Sequence, residues 1–272
     1  RKENPMKKII LSLLFLLGFL IMMYPFYINA LNTFLDEYRV MNYQKELVKR
    51  YEEDKVKWEE ENKKMKKTGM MLTSDPFSES TDIKGEKKTR QEHYFGKVII
   101  PKISIDIPLF DITTADLLEE GATVLNGTSY PIGGKGTHAV ISAHRGLPNR
   151  ELFTNLPKLE LGDIFMIESA KETIAYEVME IKVVEPTETS DLAIVPREDF
   201  VTLLTCTPYM INTHRLLVKG TRIPYSKEMD KVKEKTRRFV LGKQLLILVG
   251  MVVFIVVFSY VIYRKLKNNH PS

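Results

Sequence analysis

Two long apolar runs lie near the ends of the chain, and shorter apolar segments are spread between them. Ile9–Met23 is nearly unbroken apolar sequence that follows Lys7 and Lys8. Leu245–Tyr263 has 19 residues and no charge. As a helix it would rise roughly 28 Å, which is enough to cross a bilayer core. The pattern predicts a C-terminal transmembrane helix at 245–263, and a signal peptide or N-terminal transmembrane anchor at 9–31.

The residues around these runs indicate how the chain is oriented. Residues 28–30 match a small-x-small cleavage site poorly, which favours an uncleaved anchor. Two spans place both termini on one side, and the basic residues of 264–267 favour the cytoplasm. The basic stretch 231–238 argues the other way, but a long translocated domain largely escapes this rule. We therefore expect a cell-membrane protein with cytoplasmic termini and an extracellular central region.

The charge of the chain adds little to the predicted function. With 272 residues the chain is long enough for one sizeable domain plus appendages, and its formal net charge is +5. Much of the basic excess lies in lysine-rich flanks of the apolar runs, so proximity to a membrane explains it better than a nucleic acid does. The sequence contains no zinc-finger spacing, Walker loop or basic-aromatic repeat, and we expect no nucleic-acid partner.

Two segments of different character follow the first apolar run. Residues 32–67 are rich in Glu and Lys and lack Gly and Pro, which predicts a helical stalk on or above the membrane. Its apolar positions are Leu35, Tyr38, Leu47, Tyr51 and Trp58. Gly69–Arg90 shows little periodicity and is expected to be a long irregular segment.

A region of short strands begins near residue 93. The helix expected at Thr114–Glu120 is capped by threonine and ends at Gly121. Short strands with glycine and proline turns favour a closed or nearly closed, antiparallel-rich barrel. A phase shift in the longest strand predicts a bulge near Met179. The expected strands are Val98–Ile100 and Ile103–Phe110, which are broken by Pro101 and Pro108, then Thr137–Ala143, Asp163–Ile167, Thr173–Val184, Phe200–Cys206 and Arg215–Ile223.

The only cysteine, Cys206, lies at the end of one of these strands. If its strand pairs antiparallel with the next, Cys206 leaves the first strand where Arg215 enters the second. Opposite residues in such a pair have Cβ atoms roughly 5 Å apart, so a thiol and a guanidinium would share one rim. A lone thiol facing the outside of a cell risks oxidation, which favours a functional role over packing.

A thiol nucleophile needs a neighbouring base or positive charge to favour the thiolate. Of five histidines, His144 follows an apolar strand and precedes the turn residues Gly146 and Pro148. It is therefore expected at a strand end, where loops carry reactive groups.

These residues carry a family resemblance. The run Thr-Leu-Leu-Thr-Cys-Thr-Pro at 202–208, the arginine nine positions after the cysteine and Ser-Ala-His-Arg-Gly-Leu-Pro at 142–148 resemble the sortases of Gram-positive bacteria. The run Ile-Asn-Thr-His-Arg-Leu-Leu-Val-Lys-Gly at 211–220 resembles the pilus-assembling class C branch. Met210 departs from the glycine expected after the tyrosine.

The resemblance implies a mainly β fold, an eight-stranded sortase-type β-barrel with short helices, and a transpeptidase chemistry without metal or organic cofactor. Cys206 would attack the threonine carbonyl of a sorting motif of the Leu-Pro-x-Thr-Gly kind and form a thioacyl enzyme. His144 would act as acid and then base, and Arg215 would support the oxyanion or the motif. The acceptor would be a lysine amine of another pilin subunit.

Asp75, Pro76 and Phe77 resemble the lid of class C sortases, which implies that Asp75 pairs with Arg215 and Phe77 covers Cys206. The chain then divides as follows: 9–31, signal peptide or anchor; 32–67, helical stalk; 68–92, lid segment; 93–226, catalytic β-barrel; 227–244, basic linker; 245–263, C-terminal transmembrane helix.

Other residues near the motifs have weaker predictions. Thr205 is expected to position the nucleophile. Arg145 is expected to contact substrate, unless it is only a surface charge. His138 and His214 are expected to be structural. Two alternatives stay open: a sortase that anchors single surface proteins to peptidoglycan, and a non-catalytic membrane-anchored binding protein. A papain-like peptidase is disfavoured, because the cysteine follows the histidine and no helix is expected to start at Cys206.

Overall fold

The computed structural model describes residues 5–69 and 87–268, and the chain separates into two units. Among the described residues, the first unit comprises 5–35, 148–150 and 241–268, and the second comprises 36–69, 87–147 and 151–240. Two long helices contribute to both units: α1 is Pro5–Thr68 and α4 is Lys227–Asn268. The segments expected as anchor and stalk are thus parts of one helix, as are the basic stretch and the second apolar run.

The first unit consists mainly of the apolar parts of α1 and α4. Phe19 and Phe254 stack with ring centroids 4.0 Å apart, and Phe15 stacks on Phe258 at 5.7 Å. The described residues include two helices, these two, that are long and apolar enough to cross a membrane, and their apolar windows are unburied. Such unburied apolar side chains suit a lipid environment, so the two helices suggest membrane anchoring.

The second unit contains a closed barrel of eight strands, as the resemblance implied. Around the barrel the strand order is β1-β2-β3-β4-β7-β8-β6-β5. Most neighbours are antiparallel, but β2–β3 and β4–β7 are parallel. The strands are β1 Tyr94–Ile100, β2 Ile105–Phe110, β3 Ala122–Val124, β4 Thr137–Ser142, β5 Ile164–Glu168, β6 Thr173–Val184, β7 Asp199–Thr207 and β8 His214–Ile223.

Details of the strands differ from the expectations in three places. The short strand β3 was not foreseen, since three residues are too few to show periodicity. A 3-10 turn, Pro101–Ile103, separates β1 from β2. Pro108 lies inside β2 and does not break it. The reason is that β2 meets β3 only at Leu109 and Phe110, so the missing N–H of Pro108 needs no partner on that side.

Other local features agree with the sequence patterns. The register between β6 and β8 shifts between Val178 and Glu180, which confirms the bulge near Met179. Helix α3, Ala115–Glu120, begins after Thr114, whose hydroxyl accepts a 3.2 Å hydrogen bond from the Leu117 amide. The remaining short helix, α2, is Lys87–Glu92.

The barrel-side part of α1 is packed and not merely solvated. Leu47, Tyr51 and Trp58 are buried, whereas Leu35 and Tyr38 are exposed. The Trp58 ring lies 4.7 Å from the ring of Phe95 in β1. The buried positions recur at spacings of four and seven residues, so they share one helix face that packs on the barrel.

Polar contacts fix the position of the same helix on the barrel. The amide of Asn62 donates to the Tyr130 carbonyl at 3.0 Å and accepts from the Tyr130 N–H at 2.8 Å. Buried Lys97 of β1 pairs with Asp106 of β2 at 3.0 Å and with Glu37 of α1 at 3.2 Å. The Asn62 and Glu37 contacts join α1 to polar groups of the second unit and thereby specify how α1 lies on the barrel.

Candidate active site

Cys206 and Arg215 face each other across two adjacent strands. Strand β7 pairs antiparallel with β8, and the register places Cys206 opposite Arg215. Cys206 is half-buried and Arg215 is 7% exposed. The expected antiparallel pairing is therefore observed, and it brings a thiol-bearing and a guanidinium-bearing residue to one rim of the barrel.

The loop between β7 and β8 fixes the Arg215 side chain. Its Nη1 donates hydrogen bonds of 3.0 Å to the carbonyl oxygens of Asn212 and His214. Met210 and Asn212 have φ values of 62° and 61°. Met210 thus adopts a left-handed backbone conformation, which glycine adopts at low cost. The loop therefore has a backbone suited to the expected glycine, although the residue here is methionine.

The parallel pairing of β4 with β7 brings His144 toward the nucleophile strand. Ser142 is in register with Leu204, and the Ala143 amide donates to the Leu204 carbonyl at 3.2 Å. Because the two strands run in the same direction, His144, two residues after Ser142, and Cys206, two residues after Leu204, leave the paired segment at the same end. The Thr205 hydroxyl donates a 2.8 Å hydrogen bond to the Ala143 carbonyl. One backbone hydrogen bond and one side-chain hydrogen bond thus join Ala143, just before His144, to Leu204 and Thr205, just before Cys206.

Burial lowers the pKa of His144. The side chain is half-buried, and desolvation lowers its pKa, while the negative charge of Glu119 partly opposes that effect. Glu119 lies exposed on α3. A lowered pKa favours the neutral imidazole at neutral pH, and it makes the protonated ring a readier proton donor.

Arg145 contacts the end of the nucleophile strand. Its Nη1 donates to the Thr207 hydroxyl at 2.9 Å and to the Cys206 carbonyl at 3.5 Å. The guanidinium carbon lies 5.7 Å from the centroid of the Tyr209 ring. Sequence reasoning did not single out Tyr209. The available signal was an aromatic residue directly after the Thr-Pro that follows the cysteine.

Two other histidines have partners away from Cys206. His138 is fully buried, with Nδ1 2.9 Å from the Ala193 carbonyl and Nε2 2.8 Å from the Thr202 hydroxyl. His214 Nε2 lies 3.2 Å from Glu185 Oε1. These partners give both histidines structural contacts, in keeping with the expectation for them.

The expected lid residues Asp75, Pro76 and Phe77 lie outside the described residues. Within 5–69 and 87–268, no group of three or more His, Cys, Asp or Glu side chains is placed to hold a metal ion. The candidate site therefore consists of His144, Arg145, Thr205, Cys206 and Arg215 as far as the structure describes it.

Comparisons with known proteins place this arrangement in a family. A protein-family model described as "Sortase domain" matches residues 98–223. Sortase D of Bacillus subtilis (strain 168) is 29% identical over 131 residues, which are 47% of this chain and 63% of that protein, less than two thirds of its length.

Solved structures agree with this match. Sortase C-1 from Streptococcus pneumoniae is 47% identical with a TM-score of 0.56, covering 64% of this chain and 92% of that chain. A pilus-related sortase C of Group B Streptococcus is 44% identical with a TM-score of 0.55, covering 64% of this chain and 91% of that one.

The 47% identity to sortase C-1 over 92% of that chain, together with the match to the sortase-domain model, makes the chain a member of the sortase family, whose members are cysteine transpeptidases. This membership argues against the alternative of a non-catalytic binding protein. Within the family it is a class C sortase, the branch of its structural relatives.

Proposed function

We propose that this chain cleaves a sorting motif of the Leu-Pro-x-Thr-Gly kind after threonine and joins the new carboxyl group to a lysine amine of a pilin subunit. The observation that carries the proposal is the pairing of Cys206 with Arg215, on the strand β7 that pairs with β4, whose end His144 follows by two residues. Relatives described as pilus-related sortases support pilin as the protein substrate.

In the first half-reaction, the Cys206 thiolate attacks the threonine carbonyl carbon of the motif. The tetrahedral intermediate collapses when the threonine–glycine C–N bond breaks, and protonated His144 gives its proton to the departing glycine amine. A thioester between Cys206 and threonine remains. Arg215, whose guanidinium is held by the Asn212 and His214 carbonyls, donates to the oxyanion or holds the motif.

In the second half-reaction, a pilin lysine amine attacks the thioester. Neutral His144 takes a proton from the amine, the new amide bond forms, and the Cys206 thiolate leaves. One amide bond is exchanged for another, so no oxidant, reductant or metal enters the balance. Repetition on successive subunits builds a covalent polymer.

The proposal also includes location and self-shielding. Two apolar helices hold the chain in the cell membrane, with termini in the cytoplasm and the barrel outside. Asp75 and Phe77, with Pro76 between them, cover the site in the resting enzyme, where Asp75 pairs with Arg215 and the Phe77 ring lies over Cys206.

The test uses the full-length protein and its Cys206→Ala variant with a purified pilin that carries a sorting motif. We expect high-mass ladders with the unaltered protein and none with the variant. Trp58, the only tryptophan, reports by its fluorescence that the variant is folded. Polymer formed by Cys206→Ala would defeat the nucleophile assignment. Transfer to a peptidoglycan amine without ladders would favour the alternative, a sortase that anchors single surface proteins.

A further inference from the structure

Arg145 joins the loop after β4 to the end of β7 through its side chain. Nη1 donates to the Thr207 hydroxyl at 2.9 Å and to the Cys206 carbonyl at 3.5 Å. These two acceptors belong to the proposed nucleophile and to the residue that follows it, whereas Arg145 itself follows the proposed base. The contact therefore spans the two chain segments whose spacing the transfer reaction requires.

Tyr209 is a second contact between the same segments. Its ring lies against the Arg145 guanidinium and against Gly146. A Cβ atom at residue 146 would lie 2.9 Å from Tyr209 Cε2, and Gly146 has φ +86°. Both the close approach and the left-handed backbone favour glycine here. The Tyr209 ring thus packs against both Arg145 and Gly146.

We propose that Arg145 is a positioning residue that holds the His144 loop onto the end of β7, with Tyr209 as its support. The inference rests on the proposed function and goes beyond it, because it names what sets the spacing between base and nucleophile. A planar guanidinium can donate to two acceptors and lie over an aromatic ring at the same time. A lysine ammonium does not reproduce this combination.

Stability alone does not account for this side chain. A hydrogen bond from a charged group and an exposed cation–π contact each stabilise the fold modestly. Within the described part of the chain, however, the Arg145 Nε is buried without a hydrogen-bond partner. Burial of such an unsatisfied donor is unfavourable and offsets part of that gain. Removal of the guanidinium is therefore expected to change the spacing more than the stability.

The experiment compares Arg145→Met, Arg145→Lys and the matched control Lys158→Met in the full-length protein. Lys158 is an exposed cation, and its loss removes the same charge away from this contact. The measurements are kcat and KM for a fluorogenic Leu-Pro-x-Thr-Gly peptide. The rate of iodoacetamide alkylation is measured as well, and it reports on Cys206 alone because the chain has one cysteine.

We expect Arg145→Met to lower kcat about a hundredfold, the cost of a misplacement of about 1 Å, with KM nearly unchanged. Alkylation at neutral pH should slow, because the thiolate loses the support of a well-placed imidazole. Arg145→Lys should recover only part of kcat, and Lys158→Met should match the unaltered protein. Tyr209→Ala should lower kcat less than Arg145→Met, since the Thr207 contact remains.

Unchanged kcat in Arg145→Met would overturn the proposal. A loss confined to KM would overturn it too, since Arg145 would then contact substrate, and full recovery by Arg145→Lys would show that charge alone matters. If Arg145→Met does not fold, the same readings on Tyr209→Ala decide. Failure of the proposed function would give a different result, namely residual transfer by the Cys206→Ala variant.

Discussion

The hydroxyl of Thr205 donates a 2.8 Å hydrogen bond to the carbonyl oxygen of Ala143, 62 residues away in sequence. Both groups are buried, and each residue directly precedes a proposed reacting residue, Cys206 or His144. This bond supplements the parallel β4–β7 ladder one residue beyond the end of β4. It therefore holds the proposed base and nucleophile on the same rim.

Loss of this hydroxyl should cost both stability and activity. In Thr205→Val the Ala143 carbonyl loses a buried donor, and we expect unfolding free energy to fall by about 1–3 kcal/mol. Turnover of the sorting peptide should fall as well, while the matched variant Thr205→Ser, which keeps the hydroxyl, should lose less of both. Urea unfolding followed by Trp58 fluorescence and a peptide-cleavage assay check this. Equal behaviour of the Val and Ser variants would contradict it.

His138 should make the barrel less stable at acidic pH. Burial lowers the pKa of His138 to about 4, against an ordinary value of about 6.5. Since Ala193 offers only a carbonyl, Nδ1 carries the proton and Nε2 accepts from Thr202. A neutral buried histidine gives full stability above about pH 6.5, and that contribution is lost as pH falls toward 4, by roughly 3 kcal/mol in all.

The measurement for His138 is urea unfolding between pH 7 and pH 4.5, with His138→Gln as the comparison. The Gln side chain does not titrate, so its unfolding free energy should depend less steeply on pH than that of the unaltered protein. Identical slopes over this interval would show that His138 is not the group responsible.

Glu119 should tune the protonation of His144. Its negative charge raises the pKa of His144 against the larger lowering by burial. In Glu119→Gln the imidazole should therefore lose its proton at a lower pH than in the unaltered protein. Proton NMR titration of His144 checks this. Glu198 carries an exposed carboxylate, so Glu198→Gln serves as control and should leave the titration of His144 unchanged. An upward shift in Glu119→Gln would contradict the assignment.

The proposed lid makes a separate prediction. Asp75→Ala or Phe77→Ala should raise the rate of thiol labelling at Cys206 and the hydrolysis of a sorting peptide, because the resting site loses its cover. Asp82→Ala, which removes a carboxylate from the same segment outside the triplet, is the control. Labelling kinetics in Asp75→Ala and Phe77→Ala equal to those of Asp82→Ala would count against a lid at these residues.

The part of the site that lies on one hairpin was predictable from sequence. Cys206 and Arg215 are nine residues apart, and a turn-like segment lies between two strand-forming runs, so antiparallel pairing set them opposite each other. Most strands, the bulge near Met179 and the Thr114 cap followed from equally local patterns. The family resemblance supplied the closed eight-stranded barrel.

The sequence by itself determined most of the strands, which helices suit a membrane and which residue types carry the chemistry, because these follow from periodicity and local residue preferences. Only the tertiary structure decided that β4 pairs in parallel with β7, so that the segment leading to His144 runs beside the segment leading to Cys206. It also decided that Arg145 lies against Tyr209 and that Leu47, Tyr51 and Trp58 pack on the barrel. The physical reason is that these contacts join distant segments, and their partners are chosen by packing and hydrogen bonding across the whole barrel, which local patterns do not encode.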